Sequence, residues 1–265
     1  MTDSDVKLFV FDLDGTALGG HEPYARFPRP FARLLDDLDR RGVRWATNTT
    51  WSVENQFHLV ADSGLRSRPA VLTGSTGRAM ATIRGGRLCI DRRHERRVLA
   101  RDRRFRRKHA PAVREALGRL LAEDLIDRLA LNRFEQNMIT FGCRRGCRKR
   151  AWEVVEPLLR SRAYHPWDPH RPASGTLLPD YMNKGEALRV IQRRVKVGPG
   201  ETIVAGDARN DRHMLDPSLA RWLVCPANAA EEVKARVRAA GGIVARRRYS
   251  WGLVEAVRRI LAGKA

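Results

Sequence analysis

Two carboxylates stand two residues apart in Asp12-Leu13-Asp14-Gly15-Thr16, directly after the apolar run Leu8-Phe9-Val10-Phe11. If the extended conformation of that run persists through them, alternate side chains point the same way and both acids face one side. Two like charges held together need a cation. Hard oxygen donors of this kind, with a carbonyl, waters and a phosphate oxygen completing an octahedron, suit Mg²⁺. Carboxylates can also attack as nucleophiles or transfer protons, so the pair is a candidate for covalent and acid–base chemistry together. The other candidate metal ligands are weaker. Cys143 and Cys147 are spaced like half a zinc site, but no second close pair of Cys or His follows, and Cys89 and Cys225 lie far away. Four scattered cysteines make neither a zinc site nor a disulfide framework.

The acids are positioned by elements readable from periodicity. Lys7 to Phe11 is short, continuous and β-rich, as a strand buried on both faces is, and it stops at the acids and Gly15. Phe31, Leu34, Leu35 and Leu38 repeat at helical spacing before Gly42. Val43 to Thr47 reads as a second strand, Val53 to Asp62 as a helix and Ala70 to Leu72 as a short strand. From Gly74 the character changes. Residues 92–108 are dense in Arg, helical patterns run near 111–124 and 149–160 around the apolar stretch 136–142, and Pro166, Pro169, Pro172 and Pro179 suggest a loop-rich exit. Alternation of strand and helix resumes with a helix over 185–194, a strand over 201–206 ending at Asp207, weaker strands at 222–224 and 243–245, and a helix between these two. The expected fold is α/β: a doubly wound, Rossmann-like parallel sheet built from residues 1–73 and 181–265, with a smaller α/β domain inserted at 74–180.

Phe9-Val-Phe-Asp-Leu-Asp-Gly-Thr-Ala-Leu18 resembles the first motif of the haloacid dehalogenase superfamily, and three further motifs follow in that family's order. Thr47, with Asn48 beside it, is similar to the second motif, which implies that the hydroxyl and neighbouring amides hold a phosphoryl group. Lys184, in Asn183-Lys-Gly-Glu-Ala-Leu188, matches the lysine that neutralises that group. Gly206-Asp-Ala-Arg-Asn-Asp211 resembles the acidic fourth motif, which implies Mg²⁺ held by Asp12, Asp14 and Asp207, with Asn210 and Asp211 supporting its waters. The resemblance is strongest to the branch with a large α/β cap between the second and third motifs, the sucrose-phosphate phosphatase-like and Cof-like enzymes. Ala227-Asn228-Ala229 is similar to that branch's segment after the fourth motif. One departure stands out: the second motif of the branch commonly reads Thr-Gly-Arg, where this chain has Thr47-Asn48-Thr49.

The activity so implied is Mg²⁺-dependent hydrolysis of a phosphomonoester of a small metabolite, a sugar phosphate or a related compound. Asp12 is the nucleophile that forms an aspartyl-phosphate, Asp14 the acid and then the base, and Lys184 the charge partner. A phosphotransferase or mutase would use the same intermediate. The rival from another class is a nucleic-acid-binding or scaffold protein on the same fold, suggested by the net charge of +21. Residues 74–180 carry 25 Lys and Arg against 12 Asp and Glu, so most of the excess falls in the insertion. Cationic side chains there, Arg133 or Arg145 for example, are candidates for holding a second anionic group of the substrate. However, Arg outnumbers Lys throughout the chain, a bias that coding composition produces without a selected partner, and only Phe105 offers an aromatic surface within 92–108. Nucleic acid is therefore not the expected partner. Neither a signal peptide nor a membrane span is readable, so a cytoplasmic location is expected.

Overall fold

The computed structural model describes residues 5–19, 26–131, 137–167 and 174–263. In chain order its elements are β1 (Leu8–Phe11), α1 (Arg29–Arg40), β2 (Arg44–Asn48), α2 (Val53–Asp62), β3 (Val71–Gly74), β4 (Ala79–Arg84) and β5 (Arg87–Ile90). Then come α3 (Arg92–Ala122), β6 (Ile126–Leu131), β7 (Ile139–Cys143), α4 (Arg148–Arg160), β8 (Tyr164–Pro166) and β9 (Ser174–Pro179). The last stretch holds α5 (Lys184–Val195), β10 (Thr202–Ala205), a 3₁₀ turn at Arg209–His213, β11 (Trp222–Cys225), α6 (Glu231–Ala239), β12 (Ile243–Val244) and α7 (Tyr249–Leu261). No described helix is long and apolar enough to cross a membrane.

The chain forms two compact units, Met1–His94 with Asn183–Ala265, and Glu95–Met182. The first is built on an eight-stranded sheet in the order β12-β11-β10-β1-β2-β3-β4-β5, parallel from β12 to β3 and antiparallel over β4 and β5. Strand β1 lies at its centre, paired with β10 and β2, and all four of its side chains are buried. Phe9 and Phe11 enter one apolar cluster with α1, α2 and α7; Leu8 and Val10 enter another with α5 and α6. Helices on both faces leave no solvated side, which is why β1 reads as an uninterrupted apolar run. Phe11 stacks on Trp45 at 6.0 Å and meets Phe31 edge-on at 5.1 Å, contacts that fix the level at which β1 ends.

The second unit is an antiparallel sheet, β6-β7-β9-β8, whose buried Ile126, Phe141 and Leu177 pack with Leu120 of α3 and Val155 of α4.

Several expectations are corrected. The unit boundary expected at residues 73 and 74 lies at 94 and 95, and the return lies at 182 and 183. The reason is the hairpin β4–β5, turned at Gly85-Gly86, both at positive φ, which extends the core sheet by pairing β4 antiparallel to β3. The Arg-dense stretch and the pattern at 111–124 form one helix of 31 residues that contains Pro111. The exit is not wholly loop, because β8 and β9 occupy part of it; Pro169, Pro172 and Arg133 fall outside the described residues. Arg145 is exposed in the turn before α4. Helix α7 carries no counterpart among the expectations.

Candidate active site

Strand β1 ends at Phe11, and the Asp12 N–H donates to the Ala205 carbonyl at 3.0 Å, so the first acid sits at the carboxyl edge of the parallel sheet. Asp12 continues the face of Leu8 and Val10, the side covered by α5. There it meets Lys184, the first residue of that helix, whose start is capped by Asn183 accepting the Glu186 N–H at 2.9 Å. Lys184 is wholly buried, with Nζ 2.7 Å from Asp12 Oδ1 and 2.5 Å from Asp211 Oδ1. Asp211, equally buried, accepts the backbone N–H groups of Asp207 and Ala208 on its other oxygen, each at 2.9 Å. Both Asp211 oxygens are thus engaged by protein donors. Its place is to fix the Lys184 ammonium and the loop after β10.

Asp207, just beyond β10, accepts the Thr16 hydroxyl on Oδ1 at 2.6 Å. The close approach depends on Gly15, which has φ of 75° and where a Cβ would lie 2.2 Å from Asp207 Oδ2. The Gly15 carbonyl accepts from Asn228 Nδ2 at 2.7 Å, and Asn228 Oδ1 accepts the Tyr249 N–H at 2.7 Å, which ties the β1 loop to the start of α7.

Carboxylate oxygens of Asp12, Asp207 and Asp211 lie within 4.8 Å of one another, a group able to hold a metal ion. The expected trio was Asp12, Asp14 and Asp207. Asp14 is missing from the group because β1 stops at Phe11: alternation holds only in extended chain, and the tight turn in which Thr16, Ala17 and Leu18 all donate to the Leu13 carbonyl carries the Asp14 side chain outward. Asp14 is exposed, and its Oδ2 accepts the Trp51 indole N–H at 2.7 Å.

Electrostatics fit a divalent cation. Three ionised carboxylates against one ammonium leave two negative charges uncompensated in a buried place. Burial pushes the Asp12 carboxyl up to about 7, against the pull of Lys184 and with help from Asp211 and Asp207. Burial and then Asp211 push Asp207 up to about 6. Burial also opposes the Lys184 charge, but the Asp12 and Asp211 carboxylates outweigh it and hold its pKa above the ordinary lysine value. Asn210 Oδ1 is buried without a hydrogen-bond donor, and Asp12 Oδ1 faces the Lys184 ammonium. Hard oxygen atoms and a net negative charge form a donor set suited to a hard divalent cation, and Asp12 and Asp207 are the carboxylates not wholly taken up by protein donors.

The second-motif residues divide between the two faces of the sheet. Thr47 pairs with Phe11, one level below Asp12, and its buried hydroxyl donates to Gln56 Oε1 of α2 at 2.5 Å. Its side chain is therefore not brought to Asp12 and Lys184. Asn48 is on their side, donating from Nδ2 to the Lys184 carbonyl at 2.8 Å, while its buried Oδ1 is without a partner. Thr49 is buried and its hydroxyl lies 3.4 Å from the Trp51 N–H. Thr16, Trp51 and Gln56 carry no assignment from sequence. Thr16 falls inside the first motif, whereas Trp51 and Gln56 are marked by no pattern.

Comparison with known proteins supports the fold. Residues 175–260 match the model of the sucrose-6F-phosphate phosphohydrolase family. No curated protein matches. Among solved structures, the sucrose-phosphatase of Synechocystis sp. PCC6803, determined with sucrose and phosphate, superimposes with a TM-score of 0.65 at 22% identity, covering 96% of this chain and 97% of that one. BT1666 of Bacteroides thetaiotaomicron, described as a phosphatase of the haloalkanoate superfamily, gives 0.62 at 18% identity over 98% and 97%. The haloacid dehalogenase-like hydrolase yhjK of Bacillus subtilis gives 0.59 at 14% over 97% and 95%. The chain thus has the haloacid dehalogenase fold, and over residues 175–260 its sequence is similar to the sucrose-6F-phosphate phosphohydrolases.

Proposed function

We propose that the protein is a phosphomonoester hydrolase acting on a small phosphorylated metabolite of the sugar-phosphate class, through an aspartyl-phosphate at Asp12. The observation that carries this reading is the buried constellation Asp12–Lys184–Asp211, in which residues far apart in sequence meet beyond the carboxyl end of β1. An aspartate facing a fixed ammonium is arranged to attack phosphorus while the ammonium balances the equatorial oxygens.

In the first half-reaction an Asp12 oxygen forms a bond to phosphorus, the bond to the ester oxygen breaks, and Asp14 gives its proton to that leaving oxygen. In the second, water forms a bond to phosphorus, its proton passes to Asp14, the Asp12–phosphorus bond breaks, and inorganic phosphate leaves. Asp14 is suited to both steps because its exposed carboxylate stands outside the Lys184 ion pair. Lys184 is the cationic donor for the phosphoryl oxygens, and Asn48 stands on the same side of the sheet. Mg²⁺ held by Asp12 and Asp207, with Asn210 and the loop oxygens around it, would supply charge stabilisation and alignment of the phosphoryl group. The sugar-phosphate class rests on the family match at 175–260 and on the Synechocystis structure that contains sucrose and phosphate.

The test is release of inorganic phosphate from a panel of sugar, polyol, glycerate and nucleotide monophosphates with Mg²⁺ present, run beside an Asp12→Asn control. Release from sugar phosphates far above the control is expected. If no ester is hydrolysed faster by the wild-type protein than by the control, the assignment is wrong.

A further inference from the structure

An exposed aspartate that must hand a proton to a leaving oxygen needs a reason to stay aimed. Free carboxylates on a loop sample several rotamers, and proton transfer requires hydrogen-bond reach. We propose that Trp51 is the positioning residue for Asp14, holding one carboxylate oxygen so that the other is presented to the leaving group. This rests on the reading of Asp14 as the acid and base.

The indole Nε1 donates to Asp14 Oδ2 at 2.7 Å. An indole has one N–H and no acceptor, so it engages a single oxygen and leaves Oδ1 to carry the transferable proton. The ring is itself held by its backbone. The Trp51 carbonyl accepts from Gln56 Nε2 at 3.1 Å and from the Ser75 N–H at 3.1 Å, and its N–H lies 3.4 Å from the Thr49 hydroxyl. Gln56, fully buried, is locked in turn by Thr47 at 2.5 Å and by the Thr73 carbonyl at 3.2 Å. Gly74 leaves room for this contact, since a Cβ there would come within 2.4 Å of the Trp51 carbonyl. The ends of β2 and β3 and the start of α2 therefore converge on one loop whose projecting group is the indole.

The same network accounts for the departure at position 49. Where the resemblance leads one to expect an arginine, Thr49 is buried and lies beneath the Trp51 backbone. In this chain the segment after β2 serves Asp14 through Trp51.

The test is the kcat/KM of Trp51→Phe on two esters, a sugar or alkyl phosphate and p-nitrophenyl phosphate. The aryl oxygen leaves as a stable anion and needs no proton, whereas the alkyl oxygen does. Because general acid catalysis is worth roughly 10²–10⁴-fold, losing the aim of the acid should lower the alkyl-ester value by about tenfold or more. The aryl value should move less than about threefold, and Asp14→Asn should show the same selectivity in stronger form. Should Trp51→Phe fail to fold, Thr49→Val, near in shape and lacking the hydroxyl under Trp51, should give a smaller loss of the same ester-selective kind. Equal loss on both esters would mark Trp51 as merely structural and overturn the proposal, as would no loss on either. A wild-type protein that hydrolyses neither ester would overturn the hydrolase reading and this inference with it.

Discussion

Mg²⁺ should stabilise the protein in a strongly pH-dependent way. Asp12 titrates near about 7 and Asp207 near about 6, both above the ordinary aspartate value of 3.8. A carboxyl raised on folding contributes stability that is fully present below its unfolded pKa and is lost as pH rises through the folded value. Metal-free protein should therefore weaken from about pH 4 to about pH 7 as both groups are forced to ionise in a buried place. The cation binds the ionised pair. At pH 8 nearly all molecules present it, but at pH 5 only about one in a hundred Asp12 and one in ten Asp207 carboxyls are ionised, so apparent affinity falls roughly 10³-fold. With Mg²⁺ at about a hundred times its dissociation constant at pH 8, the stabilisation is about 2.7 kcal/mol. For a chain of this length that is a rise in Tm of about 5–10 °C. The same concentration at pH 5 should shift Tm by less than about 1 °C. Thermal unfolding followed by fluorescence, with Mg²⁺ against EDTA at several pH values, measures this directly. An Mg²⁺ shift of equal size at pH 5 and pH 8, or none at pH 8 with millimolar metal, would refute the assignment of Asp12 and Asp207 as the ion's carboxylates.

Asp12→Asn keeps the size of the nucleophile and removes its charge, so phosphate release should drop to background while the melting curve stays cooperative; retention of more than a few per cent of turnover would exclude Asp12 as nucleophile. Lys184→Ala leaves two buried carboxylates without their cation, and urea unfolding should show a loss of about 3–5 kcal/mol together with loss of activity. Gly15→Ala places a methyl against Asp207 at a residue with φ of 75°, so circular dichroism should show a lowered Tm and the Mg²⁺ response at pH 8 should disappear.

Most of the core is legible in the sequence because it obeys local rules. A parallel strand buried on both faces must be apolar throughout, which makes 8–11 and 202–205 visible, and the pattern of α2 places it at 53–62. The hairpin 79–90 carries a usable sign, Gly85-Gly86 between two short β-rich runs, but the glycines at 74 and 77 suggest a domain border more strongly than a continuing sheet. Among the residues the structure brings together, Asp12, Lys184 and Asp207 are singled out by motif order, the two acids each following a strand and the lysine opening α5. What the sequence withholds is direction. Thr47 and Asn48 are adjacent, and only the register of β2 against β1 shows that one faces α2 and the other α5. Asp14 was expected beside Asp12 because strand alternation was carried past the end of β1 at Phe11. Trp51 and Gln56 act through contacts closed by β3, a long-range pairing that no local spacing announces.

The same geometry weighs against a scaffold that has lost its chemistry. Lys184, Asp12 and Asp211 are almost wholly removed from water, and a buried ion cluster is seldom the most stable way to fill such a space. Apolar side chains of equal volume often serve folding as well or better. Asp12 illustrates the cost, since its carboxyl is pushed up to about 7 even with an ammonium 2.7 Å away. Gly15, Gly185 and Gly206 are each needed for the approach of neighbouring segments, with a Cβ meeting Asp207, the His213 carbonyl or Asp211 within 2.2–2.5 Å. A chain selected for stability alone would be free to relieve these features one at a time, replacing Lys184 and Asp211 by apolar residues and filling the glycine positions. Their joint presence, in one place and with an excess of negative charge left for a cation, is what the proposed reaction calls for, since it needs a nucleophilic carboxylate and a fixed positive charge beside the phosphoryl group.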